Sequence, residues 1–228
     1  MSFFIYSYHM LITMSEEKII IKESYIKRRQ KMVDGLVQMQ QMIENFMQVK
    51  MPDEVLKKLG NMFKSRMIPK GEVVVHVGDI QEELYFVISG LLRSYYIDIN
   101  GNDVTHFFPK EGSLCCSEIL FNQGPSKHCT EALDDCKVLA INVSDFKELI
   151  EADIYCMKAY IKALEYSFSY KIERESSFLL KSATERYLDF KKMYPQLDGR
   201  LNQAYIASYL GITAVSLSRI KRAIRETV

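Results

Sequence analysis

The apolar positions of this chain change period twice. Over residues 32–65 they recur at helical spacing, first in VDGLVQMQQMIENFMQ and then in PDEVLKKLGNMF. Pro52 suits the first turn of the second stretch, and Asp53 and Glu54 suit its positive end. From Ile68 to Val143 the pattern is that of short strands rich in Val, Ile, Tyr and Phe, broken by Gly, Asn and Asp. In GEVVVHVGD, Val73, Val75 and Val77 alternate with Val74 and His76; in ELYFVISGLLR, Leu84, Phe86 and Ile88 alternate until Gly90 interrupts. Asn100-Gly101 predicts a hairpin, because both residues accept positive φ. Six or more strands so spaced predict a closed antiparallel barrel or jelly roll.

Helical spacing returns at Ser144, which can cap a helix with Asp145 in its first turn. Met157, Ile161, Leu164, Phe168 and Ile172 then form one apolar stripe. Such a stripe must bury, either on the barrel or on the same helix of a second subunit as a short coiled coil. Ser182 and Glu185 have the spacing of a capping box, so a new helix starts there and ends near Pro195. The domain boundary is expected within residues 174–182. The fold class is α+β: a β-domain at 35–150, a dimerisation helix and hinge at 151–180, and an all-α domain at 181–228. Residues 1–34 are an extension of uncertain character.

Apolar content near half and moderate charge describe a soluble globular chain, and no apolar run reaches the ~18 residues that span a bilayer. MSFFIYSYHMLIT has no basic start and no small-residue cleavage site, so it reads as neither signal peptide nor anchor. Net charge is +1, but unevenly spread. Residues 181–228 hold nine Lys/Arg against four Asp/Glu, which points to a polyanion met at that end. Five cysteines without CxxC spacing suit a reducing cytoplasm rather than a disulfide framework or zinc site. Vicinal Cys115-Cys116 reads as a redox or metal sensor or, more plainly, as buried small apolar residues.

Residues 201–224, LNQAYIASYLGITAVSLSRIKRAI, break between two helical halves at Gly-Ile-Thr. Ile206, Ala207, Leu210, Ile212, Leu217 and Ile220 stand where a helix-turn-helix needs apolar or small residues, and Gly211 where its turn takes positive φ. Thr213 caps the second helix. Ser216, Ser218 and Arg219 face outward near its start, where base edges are met, and Arg219 can pair bidentately with guanine. Lys221 and Arg222 are placed to hold phosphates, and Gln203 to touch the backbone.

GEVVVHVGD, ELYFVISGLLR, KEGSLCCSEILF and QAYIASYLGITAVSLSRI together resemble the CRP/FNR family of bacterial transcription regulators over about residues 35–225. The resemblance implies a cyclic-nucleotide-binding-like jelly roll that senses an effector, and a homodimer built on the long helix through Met157, Ile161, Leu164, Phe168 and Ile172. It also implies a palindromic double-stranded DNA operator and a cytoplasmic, non-membrane, non-enzymatic protein. RNA polymerase is a further partner if the protein activates. Many relatives continue into a β-hairpin wing, for which residues after Ile224 leave no room.

Relatives that bind cyclic AMP carry a Gly-Glu pair for the ribose and an Arg-Ser pair for the phosphate. Here those pairs fall on Cys116-Ser117, with Glu118 one place late, and on Lys127-His128. Lys lacks the fork geometry of Arg, so another small effector, or none, is expected rather than cyclic AMP. No cofactor and no metal ligand set is expected, His76, His106 and His128 reading as ordinary strand histidines. A second reading is a ligand-binding module acting on a protein partner, its helix pair used only for packing. A cupin-type metal enzyme would need a His-x-His pair that the strands lack, and no nucleophile setting or phosphate-cradling Gly loop is evident.

Overall fold

The computed structural model describes residues 35, 37–41, 44, 48, 50–121 and 124–227. The alternating segment folds into eight strands: β1 Lys64–Ile68, β2 Val73–Val75, β3 Glu83–Ser89, β4 Leu92–Ile97, β5 Asp103–Phe107, β6 Leu114–Cys115, β7 Cys129–Ala132 and β8 Cys136–Asn142. They make two four-stranded sheets, ordered β1-β8-β3-β6 and β2-β7-β4-β5. Every pairing is antiparallel, so the architecture is the jelly roll.

Strand β3 shows why the first sheet is central. Its Leu84, Phe86 and Ile88 pack with Leu139, Ile141 and the helix α1, Asp53–Met62. Its Tyr85 and Val87 join Ile68, Leu92 and Val138 on the opposite face. A strand buried on both faces reads as a nearly unbroken apolar run, as ELYFVIS does. Gly90 ends that run with φ of 98°, and a Cβ there would lie 2.7 Å from the Asp135 carbonyl oxygen, so only glycine fits. In the β4–β5 hairpin, Asp98 accepts from the amides of Asn100 and Asn102 at 2.8 Å each, and Gly101 takes positive φ.

The remaining helices are α2 Val143–Ala152, α3 Ile154–Leu180, α4 Ala183–Met193, α5 Gln203–Leu210 and α6 Ala214–Thr227. Three local expectations are corrected. The helical reading to residue 65 overshoots, because α1 ends at Met62 and β1 begins at Lys64. Pro52 sits just outside α1 as its extended cap residue rather than within the first turn. Asn142, not Ser144, caps α2: its side-chain oxygen accepts from the Ser144 amide at 2.9 Å. The Ser182–Glu185 capping box forms with both reciprocal bonds, and α3 ends at Leu180, two residues before it.

A third core joins the C-terminal helices to the β-domain. Tyr187, Phe190, Ile206, Leu210 and Leu217 pack with Leu91 and Phe108 of the jelly roll. Ile206, Leu210 and Leu217 are essentially fully buried, each contributing about 2 kcal/mol. Among the described residues no helix is long and apolar enough to cross a membrane.

Candidate functional site

Two places carry chemistry, an exposed helical face at the C-terminal end and a cavity between the jelly roll and α3.

The first is built on the α5–α6 bend. Asn202 caps α5 by accepting from the Ala204 amide at 3.0 Å. Gly211 then turns left-handed at φ 67°, and a Cβ there would fall 2.7 Å from Phe178 Cε1 on α3. Thr213 caps the second helix, its Oγ1 accepting from the Ser216 amide at 3.1 Å. Ile206, Ala207, Leu210 and Leu217 are buried between the helices. That burial forces the other side of α6 outward, where Ser218, Arg219 and Arg222 are exposed. The Arg222 guanidinium donates to Glu226 one turn on, at 2.8 Å. Gln203 is exposed at the start of α5.

Lys221 is placed differently from the phosphate-holding position expected of it. Its Nζ lies 2.6 Å from Asp198 Oδ1, with only 12% of the side chain exposed. The pair satisfies that oxygen by charge rather than by an aligned hydrogen bond. The Tyr187 hydroxyl donates to Asp198 Oδ2 at 2.7 Å. Burial alone would raise the Asp198 carboxyl, but Lys221 and Tyr187 outweigh it and hold the carboxyl below its ordinary range. Lys221 therefore ties α6 to the loop after α4.

A cluster that sequence pattern did not single out fixes this unit to the jelly roll. Arg93 on β4 is buried, with its guanidinium 4.2 Å from the Tyr95 ring centroid and 3.8 Å from that of Tyr205 on α5. It donates to Thr105 Oγ1 at 2.9 Å, to Glu131 at 2.8 Å and twice to Asp103 at 3.0 Å. Ser208 of α5 donates to the Asp103 carbonyl and accepts from the Thr105 amide, both at 2.8 Å. Arg174 of α3 donates to the Tyr209 carbonyl at 2.9 Å. A signal existed in ELYFVISGLLRS, since an Arg in an apolar run must find carboxylates if it is buried.

The second place is a cavity of about 950 Å³. One end is apolar, with Leu59, Phe86, Phe146 and Leu164; the other is polar, with Tyr96, His106, Glu118, His128, Lys171 and Arg174. Glu118 sits in a short 3-10 turn, Ser117–Leu120, launched by Cys116 in the left-handed conformation at φ 65°. That turn aims Glu118 Oε2 at His128 Nδ1, 3.1 Å away. The His128 contact holds the Glu118 carboxyl below its ordinary value against the opposing effect of burial. His106 on β5 stands edge to face with His128 at 5.6 Å between centroids. Burial, reinforced by His128, pushes the His106 pKa down to about 4, so it is neutral at pH 7.

Of the effector residues expected from sequence, the structure brings together Cys116, Glu118 and His128 at the cavity. It leaves Lys127 exposed and outside the lining; Ser117 lies in the same 3-10 turn. His106, read as an ordinary strand histidine, lines the cavity as well. All five cysteines are buried and free, and burial raises the thiols of Cys136 and Cys156, to about 11 and about 12.

The apolar stripe of α3 divides between the cavity and solvent. Leu164 lines the cavity, and Met157 is half-buried. Ile161, Phe168 and Ile172 are 45%, 67% and 50% exposed, and Ile154 and Leu179 extend the same outer seam. Spacings of seven, seven, four and seven along Ile154, Ile161, Phe168, Ile172 and Leu179 are those of a coiled-coil seam.

The family model for the cyclic nucleotide-binding domain matches residues 65–153. The cyclic AMP receptor protein of Thermus thermophilus is 29% identical over 99 residues, 43% of this chain and 45% of that protein. The matched segment thus spans less than half the length of that relative. Among solved structures, FixK2 from Bradyrhizobium japonicum is similar at TM-score 0.60 and 21% identity, covering 72% of this chain and 85% of that one. A candidate transcriptional regulator of the Crp/Fnr family from Eubacterium rectale is similar at TM-score 0.63 and 17% identity, covering 78% and 85%. Residues 65–153 are thus similar to the cyclic nucleotide-binding domain family, and the chain as a whole has a fold similar to that of these two solved structures.

Proposed function

We propose that the chain is a homodimeric transcription regulator that reads double-stranded DNA through α6. The observation that carries this reading is the outward face of α6, where Ser218, Arg219 and Arg222 stand exposed on a helix whose opposite side is locked by Leu217, Lys221 and the Gly211 turn. A helix presented this way suits the major groove, with Arg219 and Ser218 toward base edges and Arg222 and Gln203 toward phosphates. The exposed seam of α3 supplies the second subunit, and two copies of α6 suit a palindromic operator.

The cavity is the natural place for an effector. The place of the ribose-binding carboxylate falls near Glu118, whose Oε2 already contacts His128 Nδ1 at 3.1 Å. The place of the phosphate-binding Arg falls on Lys127, which faces solvent. Both favour an effector other than cyclic AMP. Fluorescence anisotropy of the intact protein on fragments of its own genome, at rising salt, tests the reading. Binding should fall steeply with salt as counterions are released, and Arg219→Ala should weaken binding and relax preference at the base pair it reads. Absence of binding to every duplex at low ionic strength overturns it, and undiminished binding by Arg219→Ala would favour a protein partner instead.

A further inference from the structure

We infer that the jelly roll binds a divalent first-row transition-metal ion through His106, Glu118 and His128. Their three ligand atoms lie within 4.8 Å of one another, although the residues come from β5, the 3-10 turn and the approach to β7. Two imidazoles and one carboxylate with room left over is a donor set for zinc- or iron-like ions, and nitrogen donors disfavour magnesium and calcium.

A second observation points the same way. His106 Nε2 is buried and has no hydrogen-bond partner among the described residues. An orphaned buried ring nitrogen has lost its hydration without a replacement partner, and a metal bond would satisfy it. The rings are already held. Tyr96 stacks on His106 at 4.7 Å between centroids, and the His106 carbonyl accepts from the Tyr170 hydroxyl at 3.4 Å. The Ser126 hydroxyl lies 3.4 Å from His128 Nδ1.

Ligand atoms around a tetrahedral ion with bonds of about 2.1 Å are about 3.4 Å apart. Closure from 4.8 Å therefore needs a contraction of roughly 1.5 Å at most, which the 3-10 turn carrying Glu118 can supply by a rotamer change. All three ligand residues line the cavity. Lys171 and Arg174 line the same cavity, so an anionic group suits the remaining positions. The ligands stand twelve and ten positions apart along the chain, and none forms a His-x-His or HExxH pattern.

Co(II) titrated into the purified full-length protein, followed by visible d–d absorption and equilibrium dialysis, tests the inference. One ion per chain is expected, with bands of nitrogen and oxygen ligation. His106→Ala and His128→Ala should each weaken binding at least about tenfold, since loss even of a ligand's supporting partner costs that much. His76→Ala, on the exposed β2–β3 connection, should leave it unchanged. If the alanine variants fail to fold, Glu118→Gln keeps the side-chain shape and should give the same weakening, because a neutral amide is a poor ligand. No saturable uptake by the wild type overturns the inference. So does unchanged uptake by the Glu118→Gln protein, or an intense sulfur-to-metal charge-transfer band that makes Cys115 or Cys116 the ligand. None of these readouts involves DNA, so the metal site and the proposed operator binding stand or fall separately.

Discussion

The Arg93 guanidinium of the jelly roll lies 3.8 Å from the ring centroid of Tyr205, on the first helix of the helix-turn-helix. One buried cation thus joins the two halves of the chain. Its charge is neutralised by Asp103 and Glu131 of the β-domain, and its open face is covered by an aromatic ring from α5. Desolvation strengthens such a contact, since no water competes for the cation.

Replacing either partner should loosen the docking to different degrees. Tyr205→Ala removes one face of the stack and should cost about 2 kcal/mol. Arg93→Ala leaves two carboxylates facing each other with no cation between, and should cost about 3–5 kcal/mol. Hydrogen exchange should show faster opening of α5 and α6 in the Tyr205 variant, with β3 and β8 unchanged. Uniform protection across the chain would contradict a docking role for the stack.

The outer seam of α3 should control assembly. Phe168→Glu places a charge on the most exposed aromatic position of that seam, and sedimentation should show a monomer. Affinity for an operator with two half-sites about 34 Å apart should fall with it. Leu164→Ala, which opens the cavity lining instead, should leave the dimer intact.

Arg219 and Arg222 should separate specificity from affinity. Arg219→Ala should cost about 1–3 kcal/mol at one base pair and relax preference there. Arg222→Ala should weaken all duplexes evenly and lower the salt slope by about 1. Competition binding across a panel of duplexes and salt concentrations distinguishes the two patterns.

Acid should unlock α6 through Asp198. Its folded carboxyl titrates below the ordinary value of 3.8, so the folded state binds fewer protons than the unfolded one in that window. The resulting stability is fully present above pH 4 and is lost as pH falls through the lower folded value. Lys221 and Tyr187 contact this carboxylate, and Lys191 adds a weaker charge. Asp198→Asn should flatten the acid limb of a thermal-melt series and cost roughly 1–3 kcal/mol at neutral pH. An acid limb of unchanged shape would remove Asp198 from that account.

Local rules were legible wherever a residue's role depends on its immediate neighbours in the chain. Gly211 shows it: αL backbone is cheap only for glycine, so the bend could be placed from sequence. The Ser182–Glu185 box, the Asn100-Gly101 hairpin and the β-then-α order follow in the same way. The cap of α2 did not, because Asn142 and Ser144 both offer an oxygen and only the β8 exit direction chooses between them.

By itself the sequence determined the order of elements, the jelly roll followed by helices, and the helix-turn-helix with its basic outer face. Those depend on periodicity, turn chemistry and charge, which are local quantities. Only the tertiary structure decided that Lys221 turns inward to Asp198, that the α3 stripe splits between cavity and outer seam, and that His106, Glu118 and His128 share one corner of a cavity. The physical reason is that a strand or helix period fixes which side a residue faces. What stands on that side depends on chain crossing back from tens of residues away.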